Sequence, residues 1–182
     1  MEIRAPNILI TGTPGTGKTT LARLLEDQLN ETIDFPKFEV ISLGALINEK
    51  HLYKNWNEQF QVPEFDEDLV CDAIEADIRR GGKIVDFHSC AFFPPDWFHY
   101  IVLLRASNTN IFDRLSERGY PEPKIQENVQ CEIFQVCKDE VEDSYPKEKI
   151  LERNSDTIVE MERNVEEIIE LIKKTVEDNK HT

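Results

Sequence analysis

The stretch GTPGTGKT, residues 12–19, constrains this chain more than any other feature. It matches the pattern G-x-x-x-x-G-K-[ST] at every fixed position, and it lies between an apolar run and a segment with leucines at helical spacing. Glycines in such a turn let backbone N–H groups approach phosphate oxygens, and the following helix adds the positive end of its dipole. The stretch therefore predicts a phosphate-binding loop, or P-loop, between a buried strand and a helix.

The chemistry of such a loop assigns roles to several side chains. Lys18 is expected to contact the β- and γ-phosphates of a nucleotide, and the Thr19 hydroxyl is the expected magnesium ligand. A carboxylate at the end of a neighbouring apolar strand completes a magnesium site, and Asp86 in KIVDFH has that position. His88 and Cys90 follow Asp86 at intervals of two residues, so we expect all three on the same strand face. Because the phosphate-binding loop already explains the presence of the Asp86 carboxylate, we predict that Asp86, His88 and Cys90 do not form a zinc site.

Strand-like apolar runs alternate with helical segments along the chain. We predict strands at 7–10, 37–43, 83–88, 100–105 and 157–161, and helices at about 18–30, 66–80, 108–119, 125–144 and 164–178. We predict that the stretch 52–65 is irregular, and that the last helix packs on the core. The sequence thus predicts an α/β fold in which helices cover both faces of a parallel sheet, with one domain over residues 1–182.

The charge balance narrows the classes of partner. The chain has 36 Asp and Glu against 21 Lys and Arg, a formal net charge of -15, which should repel nucleic-acid backbones and favour a basic protein partner. No apolar run reaches the length of a membrane span, and MEIRAPN lacks the pattern of a secretory signal. We therefore expect an intracellular protein that is neither secreted nor bound to a membrane.

Four segments carry a more specific signal. Read together, NILITGTPGTGKTT, IVDFHSCAFFPPDWF, RLSERGY and NVQCEIFQV make nearly the whole chain resemble the adenylate kinase isoenzyme 6 family, the small nuclear adenylate kinases also called coilin-interacting nuclear ATPases. The resemblance implies a P-loop NTPase of the nucleoside monophosphate kinase type. That fold is a three-layer sandwich with a central parallel sheet and a short lid.

The resemblance also implies where ligands bind. Asp86 and His88 match the catalytic acid and histidine of the family, and the acceptor nucleotide should lie over residues 43–62. The lid corresponds to residues 117–127, where Arg118 matches a nucleotide-contacting arginine, and Arg114, one helical turn earlier, could assist it. ATP, held with Mg²⁺, is expected to contact a set of consecutive loop residues: Gly15, Thr16, Gly17, Lys18, Thr19 and Thr20.

This chain departs from the family pattern around the acceptor. Asn48 occupies a position that is normally basic, Ala45 one that is normally acidic, and Ala91 one that is normally aspartate. A charge-assisted contact is worth about 1.5 to 3 kcal/mol, so the loss of a basic group should weaken or alter the use of the acceptor. Three basic residues could compensate for it: Lys50, Lys54 and Arg79.

Three functions remain open from the sequence. The first is a kinase that moves the γ-phosphoryl group of MgATP to AMP, dAMP or CMP. The second is an ATPase whose hydrolysis drives a binding cycle, and here the resemblance implies maturation of the small ribosomal subunit, a basic ribosomal protein as partner, and residence in the nucleus and the cytoplasm. The third is a nucleotide-gated binding module without turnover, which the presence of Lys18, Thr19, Asp86 and His88 disfavours.

Overall fold

A computed structural model describes residues 5–34, 36–59 and 62–180 of the 182-residue chain. The elements in chain order are β1 (Ile8–Thr11), α1 (Lys18–Thr32), β2 (Glu39–Ser42), α2 (Leu43–Glu49), β3 (Tyr53–Asn57), β4 (Val62–Phe65), α3 (Glu67–Arg80), β5 (Lys83–Asp86), β6 (Tyr100–Arg105), α4 (Asn108–Glu117), α5 (Glu122–Ile133), α6 (Val136–Ser144), β7 (Ile150–Asn154) and α7 (Ile158–Lys180).

Five parallel strands form the central sheet in the order β2-β5-β1-β6-β7. The strands β1 and β5 are buried along their whole length, which is why their sequences are continuous apolar runs rather than alternating ones. Their register pairs Ile10 with Asp86, so β1 enters the phosphate-binding loop beside the acidic end of β5. The predicted position of Asp86 next to the loop is thereby confirmed.

Helices cover both faces of this sheet. On one face, Ile8 and Ile10 of β1 pack with buried residues of α1 and α7. On the other face, Leu9 packs with α2, α3 and α6 through a second cluster of buried side chains. The predicted three-layer α/β sandwich is confirmed, as is the packing of the last helix on the core.

The sequence predicted that the stretch 52–65 is irregular. This is wrong, because the stretch contains an antiparallel hairpin. Strands β3 and β4 pair with a register shift between Tyr53 and Asn55. The middle of β3, KNW, is exposed, so the strand lacks the alternation of buried and exposed residues by which a half-buried strand is predicted. Residues 60 and 61 of this stretch lie outside the described residues.

The predicted strand at 157–161 is wrong, and the fifth strand of the sheet is β7, which ends three residues earlier. The β-branched run TIVEM suggested a strand, but it opens α7. The Thr157 hydroxyl accepts a hydrogen bond from the Glu160 backbone N–H, and the Glu160 carboxylate accepts one from the Thr157 N–H. This reciprocal capping box starts a helix at a segment with strand propensity.

The predicted helix over 125–144 is interrupted. Helix α5 begins earlier, at Glu122, with a proline in its first turn, and α6 begins at Val136. Between them Gln135 has a left-handed backbone with a φ of 57°. Such angles are uncommon for residues other than glycine, so nothing in the local sequence signalled the break.

All four cysteines are free thiols, in agreement with the lack of Cys-x-x-Cys spacing. Within the described ranges, no helix is long and apolar enough to cross a membrane.

Candidate active site

The phosphate-binding loop connects β1 to α1 and is held by internal contacts. Gly12 has a φ of 143°, and a Cβ atom there would lie 2.5 Å from the Leu104 carbonyl oxygen, so the position needs glycine. The backbone N–H and the hydroxyl of Thr16 both donate to the Thr13 carbonyl. Gly17, with a φ of 91°, precedes the first residue of α1. The loop therefore reaches the start of α1 in a fixed conformation.

Lys18 reaches back across this loop. Its Nζ donates to the carbonyl oxygens of Gly12 at 2.8 Å and Thr13 at 3.2 Å. Desolvation lowers the pKa of Lys18 to about 8, although the nearby Asp86 carboxylate opposes the shift. An anion bound at the loop would offset that desolvation, as expected for a lysine that receives phosphate oxygens.

Thr19 of α1 is in contact with Asp86, the last residue of β5. The Thr19 Oγ1 donates to Asp86 Oδ2 at 2.7 Å, and Asp86 is itself buried. A hydroxyl and a carboxylate in contact supply the hard oxygen ligands that Mg²⁺ prefers, so these two residues fit a magnesium ion that accompanies a nucleotide.

His88 lies beside the loop, but not on a strand. We expected Asp86, His88 and Cys90 on one strand face, and this is wrong because β5 ends at Asp86. Beyond the strand, Cys90 is buried in the core with aromatic side chains, whereas His88 faces the cavity. The His88 ring lies 4.4 Å from that of Phe87, centroid to centroid. Desolvation by the cavity walls, and then the charge of Lys18, lower the pKa of His88 to about 4, so the ring is neutral at pH 7.

Two glutamates that the sequence analysis did not assign hold this region. Glu132 of α5 accepts the Thr13 hydroxyl at 2.6 Å and Arg105 Nε at 2.6 Å, with only 5% of its surface exposed. Glu140 of α6 accepts three hydrogen bonds through Oε1, from the Ser89 hydroxyl and from the backbone N–H groups of the next two residues. Glu132 lies two helical turns after the buried Ile125, and that spacing could have shown that its carboxylate faces inward.

These elements surround a cavity of about 580 Å³. The loop and the end of β5 line its donor side, whereas α2, β3 and β4 line the side where the acceptor nucleotide was expected. Asn48 and the aromatic side chains of Trp56 and Phe65 belong to that acceptor side. The cavity thus joins both predicted nucleotide positions.

None of the three basic residues that could compensate for Asn48 lines this cavity. Lys54 pairs with Asp66, N to O 3.0 Å, and Arg79 pairs with Glu75 on the surface of α3. Lys50 is exposed at the end of α2. The described residues of the range 43–62 therefore give the acceptor half of the cavity no lysine or arginine.

The predicted lid region also lines the cavity. It comprises the end of α4, a turn, and the first half of α5. Arg118 and Tyr120 of the turn line the cavity. One face of α5 joins them with four polar residues at helical spacing: Lys124, Glu127, Asn128 and Cys131.

Arg114 has a different environment from Arg118. Its guanidinium donates to the carbonyl oxygens of Gly15 at 3.0 Å, Ser155 at 2.8 Å and Asp156 at 3.2 Å. These contacts bind α4 to the phosphate-binding loop and to the start of α7, and Arg114 does not line the cavity.

Most of the predicted site residues converge on the cavity. Seven of them line it: Gly15, Gly17, Lys18, Thr19, Asp86, His88 and Arg118. Thr16 is buried with its hydroxyl committed to Thr13, and Thr20 is exposed outside the cavity lining.

The chain is similar to several known proteins. A family model described as an AAA domain matches residues 8–135. An adenylate kinase isoenzyme 6 homolog of Dictyostelium discoideum is 40% identical over 176 residues, which cover 96% of this chain and 95% of the homolog. A homolog of the same name from Caenorhabditis elegans is 41% identical over 170 residues, covering 92% of this chain and 90% of the homolog.

Solved structures show the same fold at low sequence identity. A shikimate kinase from Bacteroides thetaiotaomicron is similar with a TM-score of 0.62 and 17% identity, covering 92% of this chain and 98% of that chain. A gluconokinase from Sinorhizobium meliloti is similar with a TM-score of 0.57 and 16% identity, covering 96% of each chain.

Proposed function

The chain belongs to the adenylate kinase isoenzyme 6 family, and from this premise we propose that it transfers the γ-phosphoryl group of MgATP to AMP or a related monophosphate such as dAMP or CMP. Its family and fold make it an enzyme of the P-loop nucleotide kinase type. In this proposal residues 1–182 form one kinase domain, with the acceptor region at 43–62 and the lid at 117–127.

One observation carries the choice of a kinase. A single cavity is lined by the phosphate-binding loop on one side, by α2 and the β3–β4 hairpin on the other, and by the lid region. A site that only hydrolyses ATP needs room for one nucleotide and a water molecule. A second wall with Trp56 and Phe65 suits the planar base of a second nucleotide.

The reaction would proceed by direct transfer within this cavity. A phosphate oxygen of the acceptor forms a bond to the γ-phosphorus, and the bond from that phosphorus to the β–γ bridging oxygen breaks, with the electron pair leaving on ADP. Lys18 holds the donor phosphates, and Arg118 adds positive charge over the moving group. The His88 ring, which faces the cavity beside the loop, orients the acceptor oxygen by hydrogen bonding. A magnesium ion held at Thr19 and Asp86 would neutralise charge on the donor phosphates.

The test separates transfer from hydrolysis by stoichiometry. Purified protein is given MgATP with and without AMP, and ADP and inorganic phosphate are measured together. We expect AMP to accelerate ADP formation, with two ADP formed per ATP consumed and no matching release of phosphate. Lys18→Ala serves as the blank, and Lys50→Ala, which changes an exposed lysine outside the cavity, should behave as wild type. Equal amounts of ADP and phosphate with no effect of AMP would overturn the kinase proposal.

A specific observation favours a second candidate, an ATPase. Asn48 lines the acceptor side, and no lysine or arginine among the described residues of the range 43–62 lines the cavity. If the acceptor binds too weakly for transfer, Asp86 and His88 would position a water molecule instead. The phosphate measured in the same assay reports this activity directly.

For the ATPase we propose a role in maturation of the small ribosomal subunit, with a basic ribosomal protein as partner. The net charge of -15 supports a basic partner. Binding of purified small-subunit ribosomal proteins, measured with ATP or ADP present, would test this, and a partner whose affinity is the same with both nucleotides would contradict a nucleotide-driven cycle. Residence in the nucleus and the cytoplasm is part of the same proposal, and microscopy of the tagged protein would test it.

A further inference from the structure

Lys124 is a cavity residue to which the sequence gave no role. It lies in the first turn of α5 and lines the cavity with Arg118 and Tyr120. Its Nζ lies 3.7 Å from the centroid of the Tyr120 ring. A cation–π contact of this kind holds the amino group in place and leaves its N–H donors available to a ligand.

The position of this lysine is unfavourable for the stability of the fold. A cation in the first turn of a helix lies at the positive end of the helix dipole. Desolvation lowers the pKa of Lys124, and no carboxylate among the described residues forms an ion pair with it, Glu127 included. In a chain rich in acidic residues, a half-buried lysine without a carboxylate partner indicates a place for an anionic ligand.

Lys124 and Arg118 are both cations of the lid region, and both line the cavity. The same cavity is lined by Phe65 of β4, on the acceptor side. The described residues of the range 43–62 give that side no lysine or arginine. The lid region therefore supplies positive charge to a cavity whose acceptor side provides none of its own.

We propose that Lys124 binds the phosphate of the acceptor nucleotide and supplies from α5 the positive charge that Asn48 does not supply from α2. This inference rests on the proposed function, because it names a residue that recognises the second substrate. The ligand class is a nucleoside monophosphate, whose phosphate dianion would approach the Lys124 amino group when the acceptor base lies against the hairpin. The compensating charge therefore comes from the lid, whereas the sequence suggested Lys50, Lys54 or Arg79.

Binding measurements test this independently of turnover. The donor site is filled with a non-hydrolysable ATP analogue and Mg²⁺, and titration calorimetry then gives the affinities of AMP and of adenosine, which lacks the phosphate. For Lys124→Met we expect the Kd of AMP to rise about tenfold or more, with the Kd of adenosine unchanged. Lys124→Arg should retain most of the affinity for AMP, and Lys50→Met, the matched loss of a charge outside the cavity, should have no effect.

The outcomes separate this proposal from the kinase proposal. An unchanged AMP affinity in Lys124→Met would overturn the role of Lys124 and leave the kinase proposal standing if wild type still phosphorylates AMP. Weaker binding of the ATP analogue with unchanged AMP binding would also overturn it, because Lys124 would then serve the donor. A wild type that prefers AMP to adenosine through Lys124, but forms no ADP from AMP, would support the binding role and overturn the kinase. Equal wild-type affinities for AMP and adenosine would overturn the role of Lys124.

Discussion

The hydroxyl of Thr13 donates a hydrogen bond of 2.6 Å to the buried carboxylate of Glu132, which joins the phosphate-binding loop to α5. The same carboxylate accepts Arg105 Nε at 2.6 Å, so a buried charge is satisfied from two directions. Thr13 also provides the carbonyl oxygen that receives Thr16 and Lys18. Thr13 therefore connects Glu132 of α5 to Lys18 of the loop.

The first prediction concerns this contact. Thr13→Val keeps the shape of the side chain but leaves one Glu132 oxygen without its donor, so the free energy of unfolding should fall by about 1.5 to 3 kcal/mol. Urea denaturation measures the change. Thr32→Val removes a partly exposed hydroxyl at the end of α1 and should change stability by less than about 0.5 kcal/mol. Equal losses of unfolding free energy in Thr13→Val and Thr32→Val would show that the hydrogen bond to Glu132 stabilises the fold no more than that of a partly exposed hydroxyl.

The second prediction concerns magnesium. Asp86→Asn removes a charged oxygen ligand beside Thr19, so half-maximal activity should require about 10 to 100 times more free Mg²⁺. The rate of ADP formation at fixed ATP and varied free Mg²⁺ measures this shift. Asp96→Asn, at an exposed position outside the cavity, is the control. An unaltered Mg²⁺ dependence in Asp86→Asn would remove Asp86 from the metal site.

The third prediction separates two arginines of the lid region, Arg114 and Arg118. Arg114→Met loses three hydrogen bonds to carbonyl oxygens, so we expect the free energy of unfolding to fall by about 2 to 3 kcal/mol. Arg118→Met changes an exposed cavity residue, so we expect lower kcat/KM with stability unchanged. Thermal unfolding and steady-state kinetics of both variants provide the comparison. A stable Arg114→Met protein with a raised KM for ATP would instead support direct contact with the nucleotide.

The fourth prediction uses the two tryptophans of the chain. Trp56 is 43% exposed and lines the acceptor side of the cavity, whereas Trp97 is 9% exposed in the core. Stacking of a purine on Trp56 should quench tryptophan fluorescence on addition of AMP, and Trp56→Phe should abolish the quenching while retaining most AMP binding. The same quenching in Trp56→Phe would mean that the base does not stack there.

The donor half of the site could be predicted from sequence because its chemistry is local. The residues of the loop are contiguous, and the parallel pairing of β1 with β5 brings Asp86 to the loop from a strand whose apolar run is easily recognised. Helical spacing predicted that Arg114 could assist Arg118, but Arg114 lies outside the cavity lining. Its three carbonyl partners come from two distant segments, so these contacts could not be derived from helical spacing.

The acceptor half depends on tertiary structure that no short pattern encodes. The hairpin β3–β4 is short and bulged, and the middle of β3 is exposed, so the hairpin carries little periodicity. The strand predicted at 157–161 failed because β-branched residues have strand propensity, and the capping box around Thr157 and Glu160 outweighed it. Lys124 was missed because a lysine in a polar helix ordinarily faces solvent.

The break at Gln135 determines how the two glutamates are used. Glu132 lies before it and holds the donor loop, whereas Glu140, eight residues later, holds the segment that follows β5. In one straight helix the two carboxylates would be about 12 Å apart along a single axis. A single left-handed residue redirects the chain between them, so the donor loop and the segment after β5 are held by two helices that meet at a residue outside the cavity lining.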